Sequence, residues 1–222
     1  GTSGLLLPVP NKLHYPEQFR SSSRLHYYAS MRNSIEINSS FYRIPLYATV
    51  KRWADDVNDR FRFTFKLSRE LTHNRDLAFD PEAVGRFFGA IAGVGEKKGC
   101  LLVQLPPSVR IGHIAQLGFL LSGIRGNDPD RQWNVAVEFR HPSLYVEQVY
   151  DLLERHGMGM VVHDKSPAGT PFIDHRPGFV YLRFHGPEGD YRGSYGDGLL
   201  WEFAGYINNW LAGGKKVFAY FN

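Results

Sequence analysis

Short apolar stretches that run out into polar or charged residues recur seven times along this chain. They end at Glu36-Ile37-Asn38, Phe65-Lys66, Val103-Gln104, Glu138-Phe139-Arg140-His141, His163-Asp164-Lys165, Arg183-Phe184-His185 and Tyr220-Phe221-Asn222. Their length and their content of β-branched and aromatic residues predict strands. Between them, apolar residues repeat at the helical period: Leu46, Val50, Trp53 and Val57; Val84, Phe87, Phe88 and Ile91; Ile114, Leu117 and Leu121; Val146, Val149, Tyr150 and Leu153; Leu199, Phe203, Tyr206 and Trp210. A further helix is predicted from Ser23 to Met31, with helix stops at Gly157 and at Gly213-Gly214. Counting the opening residues, eight strands are predicted, at 1–4, 34–41, 61–67, 100–105, 134–140, 159–164, 179–185 and 216–222.

Strand and helix alternating in this way predict a parallel sheet, and eight units favour a closed (β/α)₈ barrel over an open doubly wound sheet. The sixth unit departs from the pattern. Residues 165–178 carry Pro167, Gly169, Pro171, Pro177 and Gly178, turn chemistry that reduces the sixth helix to a loop. The 222 residues, 43% of them hydrophobic, suffice for one core, so residues 1–222 are expected to be a single barrel domain. The first residues read as a strand already under way and the last as a strand with nothing after it, so natural residues are expected beyond both ends.

Side chains alternate faces along a strand, and the apolar half of each strand is expected to meet the helices. Ile35 and Ile37 then point outward and leave Glu36 and Asn38 toward the barrel axis. Phe61, Phe63 and Phe65 leave Thr64 and Lys66; Val135, Val137 and Phe139 leave Ala136, Glu138 and Arg140. The fourth strand leaves Gln104, the seventh Tyr181, Arg183 and His185, and the eighth Phe218, Tyr220 and Asn222. The inward polar residues gather at C-terminal strand ends, the face on which barrel enzymes build their active sites. Charged groups are rarely buried alone, so this ring either neutralises itself in ion pairs or awaits a ligand.

The ring holds three carboxylates, Glu36, Glu138 and Asp164, and four cations, Lys66, Arg140, Lys165 and Arg183. That balance favours an anionic ligand: arginine offers a planar fork matched to phosphate or carboxylate, and Lys66 a mobile point charge. The catalytic candidates are Glu36 and Glu138, as general acid and base, with Lys66 and His185 beside them. The candidates for binding substrate or anion are Asn38, Tyr42, Gln104, Arg140, His141, Asp164, Arg183, Tyr220 and Asn222. His141 and His185 lie next to turns, where a capping role competes with an acid–base one. Glu36, Glu138, His163, Asp164 and His185 are acceptable ligands for Zn, Mn or Mg, but no HxxxH or CxxC spacing occurs and the surrounding cations oppose a divalent ion. No cofactor is therefore assigned, and a metal is not favoured. Two loops, Asn38-Ser-Ser-Phe41-Tyr42-Arg43 and Tyr191-Arg192-Gly-Ser-Tyr195-Gly-Asp-Gly198, place aromatics beside a cation and suit stacking on a sugar or base.

The net charge of +4 and pI near 9.1 permit an anionic partner without naming one. The single Cys100 forms no internal disulfide and is expected to be a packed, inert thiol in a reducing compartment. The chain has no signal-peptide pattern and no apolar run long enough for a bilayer, so it is expected to be soluble and cytoplasmic, with no membrane partner.

The stretches Gly1-Thr-Ser-Gly4, Tyr15-Pro16, Glu36-Ile-Asn-Ser-Ser-Phe-Tyr42, Phe63-Thr-Phe-Lys66, Gln104-Leu-Pro-Pro107, Val137-Glu-Phe-Arg-His141, Tyr181-Leu-Arg-Phe-His-Gly186 and Tyr220-Phe-Asn222 resemble, in order, those of the YecE-like family (domain of unknown function 72). The resemblance implies a TIM-type barrel and supplies no reaction. Two departures stand out: Leu5-Leu-Leu-Pro8 follows where the family tends to carry aromatics, and the helix that usually succeeds the last Phe-Asn is absent. The leading functional expectation is an enzyme for a phosphorylated or other anionic substrate, with hydrolysis of a phosphodiester or nucleic acid as its form. The alternatives are a non-catalytic nucleic-acid-binding protein and a metal-dependent enzyme resembling sugar isomerases. No GxGxxG follows the first strand, which argues against dinucleotide binding.

Overall fold

The computed structural model describes residues 1–222 with the exception of 166–167, 172–177 and 189–190. Eight parallel strands close into a barrel in chain order: β1 (Thr2–Ser3), β2 (Ser34–Ile37), β3 (Arg62–Lys66), β4 (Lys98–Gln104), β5 (Asn134–Glu138), β6 (Gly159–His163), β7 (Phe179–Phe184) and β8 (Lys216–Phe221). The circle closes where Thr2 of β1 pairs with Phe221 of β8. The described helices are α1 (Arg24–Met31), α2 (Ser39–Tyr42), α3 (Tyr47–Asp55), α4 (Arg69–Thr72), α5 (Pro81–Ile91), α6 (Ile114–Gly126), α7 (Glu147–Arg155) and α8 (Asp197–Ala212). This is the TIM-type (β/α)₈ architecture. Between β6 and β7 the described residues carry no helix; the rest of the predicted loop at 165–178 lies outside the described residues.

Local chemistry sets the element ends. Ser23 caps α1 by accepting a hydrogen bond from the His26 amide at 2.9 Å. Asp80 does the same for α5 through the Glu82 amide at 3.0 Å, with Pro81 at the first helical position. Gly157, with φ at +61°, ends α7 and turns the chain into β6. The one shifted boundary of consequence is β2, which stops at Ile37 rather than continuing to residue 41. There the Ser40 hydroxyl bonds the carbonyls of Ile37 (2.8 Å) and Lys66 (2.7 Å), rolling the chain into α2 and tying the ends of β2 and β3 together.

The alternation expected of the strands is realised as two apolar layers. Ile35, Ile37, Phe63, Phe65, Leu101, Val103, Val135 and Val137 face outward into a core shared with Val50, Val84, Phe87, Leu117, Leu121, Val149 and Leu153 of the helices. A second outer patch, Val162, Val180, Leu182 and Phe184, meets Phe203, Ile207 and Trp210 of α8. Inside the barrel, Cys100, Leu102, Ala136, Val161, Phe179, Tyr181 and Tyr220 form a plug. Phe63 and Phe65 are fully buried; truncating such a ring to alanine costs about 3–5 kcal/mol in comparable cores. The Cys100 thiol is free and buried, and burial pushes its pKa well up, the condition of an inert thiol. No described helix is long and apolar enough to cross a membrane.

Candidate functional site

Above the plug the barrel interior turns polar, and its first layer is a closed ionic lock. Glu36 from the end of β2 and Glu138 from the end of β5 are both fully buried. Arg183 of β7 reaches across the axis to both: its Nε and Nη2 grip Glu36 side-on at 2.9 and 2.7 Å, and its Nη1 donates to Glu138 Oε2 at 2.7 Å. Tyr181 and Ser3 each donate a short hydrogen bond to Glu36. Asn222 Oδ1 accepts from Arg183 Nη2 at 3.2 Å, and Asn38 donates to Ser3 Oγ at 2.5 Å. Burial alone would raise the pKa of Glu138 and lower that of Arg183, but the mutual attraction wins in both. Arg183 and Arg140 hold Glu138 at about 2, and the two glutamates hold Arg183 well above its ordinary value. The two guanidinium groups thus favour the anionic form of Glu138.

A second layer is built on β5, β6 and β7. Arg140 makes an ion pair with Glu138 Oε1 that lacks hydrogen-bond alignment, donates to Gln104 Oε1 at 3.3 Å and approaches His185 Nε2 at 3.1 Å. His185 Nδ1 lies 3.2 Å from Asp164 Oδ1, while its Nε2 faces guanidinium N–H groups of Arg140 and, at 3.2 Å, Arg183. A ring nitrogen between two obligate donors must accept, so the proton sits on Nδ1, toward Asp164. Asp164 also accepts from the His185 amide at 2.8 Å and from the Tyr195 hydroxyl, and these bonds overcome burial to lower its pKa. Gly186 follows with φ at +96°, and a side chain there would strike the Arg192 carbonyl, so only glycine lets the Tyr191–Tyr195 loop fold back over the site. His163 accepts from the Lys165 amide at 3.2 Å and donates to the Phe139 carbonyl at 2.9 Å. Burial, with help from Arg140 and His185, lowers its pKa to about 4.

The side of the mouth facing β3 differs. Lys66 extends from the end of β3 with its ammonium 4.0 Å from the centroid of the Phe41 ring. Among the described residues it makes no hydrogen bond or ion pair. Burial, together with Arg183 and Arg140, outweighs Glu138 and Glu36 and lowers its pKa to about 8. His73, just beyond α4, packs its ring edge-on to Phe41 at 4.8 Å and bonds Thr72 Oγ1 through Nδ1 at 2.8 Å. Burial and the nearby Lys66 lower its pKa to about 4. Three polar atoms of the mouth, Arg140 Nε, Asn38 Oδ1 and Glu138 Oε1, are buried without a hydrogen-bond partner among the described residues.

Of the residues singled out by sequence, Glu36, Asn38, Lys66, Gln104, Glu138, Arg140, Asp164, Arg183, His185 and Asn222 come together at this mouth. Three do not. Tyr42 is 72% exposed because α2 turns its side chain outward and buries Phe41 instead. His141 caps the turn at Pro142–Leu144, its Nδ1 accepting from the Ser143 amide at 3.2 Å. Tyr220 is buried lower in the barrel, bonded to Thr64 Oγ1 at 2.8 Å and packed on Tyr181. Arg183 is at the mouth but committed to two carboxylates, which leaves it no free fork for a ligand.

Sequence reasoning missed Ser3, Tyr181 and His73 as site residues. Tyr181 shares the inward face with Arg183, and that spacing was its signal; Ser3 sits on a two-residue strand too short to show alternation, and His73 lies on no periodic element. Among the described residues no three His, Cys, Asp or Glu side chains converge as a metal shell.

Residues 1–222 match the family described as "Protein of unknown function DUF72". Over 148 residues the chain is 28% identical to UPF0759 protein YecE of Escherichia coli strain K12, and equally to that of Escherichia coli O157:H7. The alignment takes in 64% of this chain and 53% of each relative, so the chain spans about half the length of the curated relatives it matches. Two solved structures share the fold. A DUF72 family protein (TM1631) from Thermotoga maritima superposes with a TM-score of 0.76 at 24% identity, covering 100% of this chain and 90% of that one. A DUF72 family protein (EF0366) from Enterococcus faecalis gives 0.76 at 22%, covering 92% and 87%. A barrel whose every residue falls within that family match, and whose fold these two structures share, belongs to the DUF72 family.

Proposed function

We propose that the barrel mouth binds a small phosphorylated or carboxylated substrate and acts on it as an enzyme. The observation that carries this reading is the pairing pattern. Among the described residues each carboxylate of the mouth has a partner, Glu138 Oε1 through its ion pair with Arg140 alone, while the Lys66 ammonium and the Arg140 Nε–H, both largely removed from water, have no acceptor. Burying a donor without an acceptor costs about 1–3 kcal/mol, and more for a charged one, so an anion at this position recovers that energy. Gln104 Oε1 accepts from Arg140 and fixes it in place, and the unpartnered Asn38 Oδ1 can accept from a substrate hydroxyl.

Hydrolysis, isomerisation or condensation near neutral pH needs a group that gains and loses a proton there. Glu138 at about 2 and His163 at about 4 are poorly placed for that, whereas Lys66 at about 8 is well placed. The acid–base centre thus moves from the glutamates to the β3 lysine, with Glu36, Arg183, Glu138 and Tyr181 as its rigid floor.

Isothermal titration with inorganic phosphate tests the reading. The expected result is saturable binding to the wild type that weakens by about tenfold or more, a loss of at least about 1.4 kcal/mol, in Lys66→Met. Absence of binding, or equal affinity in the variant, would overturn it.

A further inference from the structure

We propose that Lys66 is a covalent catalyst whose ε-amine condenses with the carbonyl carbon of an anionic aldehyde, ketone or 2-keto acid held at the mouth. This inference rests on the anion-binding reading above and deepens it by naming the substrate class.

The geometry separates two tasks that one lysine cannot perform together. A lysine that neutralises a phosphate or carboxylate is held as an ammonium, which has no lone pair and cannot attack carbon. Lys66 adds to anion affinity as an ammonium, but a second cation keeps the anion in place when Lys66 gives up its proton: Arg140 is anchored by Gln104 and Glu138, and its Nε–H has no partner among the described residues. Lys66, by contrast, makes no ion pair with a carboxylate among the described residues. Its ammonium lies over the face of Phe41, an interaction it gives up on losing its proton at far less cost than a salt bridge. Desolvation beside other cations is the usual means of exposing a lysine lone pair.

The charged and titratable groups facing Lys66 are Glu36 from β2, His73 from beyond α4, Glu138 and Arg140 from β5, and Arg183 from β7. Their combined effect, with burial, brings the amine to about 8.

The step balances without an oxidant or metal. The amine lone pair attacks the carbonyl carbon and forms a C–N bond, while the carbonyl π pair moves to oxygen. Proton transfer from nitrogen to that oxygen gives a carbinolamine. Loss of the hydroxyl with the second amine proton releases one water and leaves a C=N bond to Lys66. His73 packs edge-on against Phe41, the same ring that the Lys66 ammonium lies over.

Trapping with borohydride tests the proposal, because hydride converts the imine to a stable secondary amine. Pyruvate and glyceraldehyde 3-phosphate serve as probes, and peptide mass mapping locates the product among all lysines. A fall in pKa from 10.5 to about 8 raises the free-amine fraction at pH 8 by about two orders of magnitude, so Lys66 is expected to carry the adduct at more than about tenfold over any surface lysine. The yield should rise as pH passes upward through about 8. Lys66→Arg keeps the cation and removes the nucleophile, and should still bind inorganic phosphate while forming no mapped adduct. Phosphate binding by the wild type without an adduct from either probe, or adducts spread evenly over surface lysines, would overturn this inference and leave the anion-binding reading intact. Failure to bind phosphate together with failure to trap would overturn both.

Discussion

Among the described residues, the charges on the β1, β2 and β7 side of the mouth meet their opposites, whereas toward β3 and β4 cationic donors stand without acceptors. Glu36 alone accepts from Arg183 twice, from Tyr181 and from Ser3. Lys66, farther along the rim, has among the described residues an aromatic face and no hydrogen bond or ion pair for its ammonium. The first arrangement is how a fold makes buried charge tolerable; the second is how it makes a site. The contrast teaches that a polar ring at a barrel mouth need not have one purpose around its whole circumference.

The sharpest way to break this contrast is to remove the bolt of the lock. Arg183→Met leaves two buried carboxylates facing each other, and should cost about 3–5 kcal/mol in denaturant unfolding. A loss below about 1 kcal/mol would mean that the lock is not structural. Arg183→Lys should recover little, since a point charge cannot reproduce the side-on grip on Glu36 together with the contact to Glu138. Tyr181→Phe removes one donor from Glu36 and should cost about 1–3 kcal/mol by the same measurement, with phosphate affinity unchanged. A matching fall in affinity would show that floor and ligand site are one unit.

Acid should act on the two buried histidines before it acts on Glu138. His163 and His73 have folded pKa values near 4, below the ordinary 6.5, so the unfolded chain binds more protons between those limits. Their contribution is present above pH 6.5 and is lost as pH falls toward 4. Glu138, held at about 2 against an ordinary 4.5, adds stability that is present above pH 4.5 and lost as pH falls through 2. Melting temperature followed from pH 7 to 3 should therefore begin to fall near 6.5, and His163→Gln should flatten the upper part of that fall. A melting temperature level down to pH 4.5 would contradict the assignment.

Much of this arrangement was legible in the sequence because the strands of a filled barrel alternate between a helix-facing apolar face and an axis-facing one. Ile35 and Ile37 on one side told where Glu36 must point, and Val135 and Val137 did the same for Glu138. Which charges pair was not legible. Arg183 meets Glu36 and Glu138 across the axis, from strands that are not neighbours, and that depends on barrel stagger rather than on spacing within any strand. The strand pattern also ran too far at β2. Ser40 rolls the chain into a helix after Asn38, so Phe41, not Tyr42, became the aromatic against Lys66. His73 lies on a connection with no periodicity, where sequence offers no direction for a side chain.

The central claim, that the β3 side of the mouth holds a cation lacking an anion, is tested most directly by following the Lys66 side chain by NMR against pH, with Lys66→Arg to assign the signal. The account predicts a midpoint near 8 that moves upward when inorganic phosphate is added. A midpoint at the ordinary 10.5, unmoved by phosphate, would contradict it.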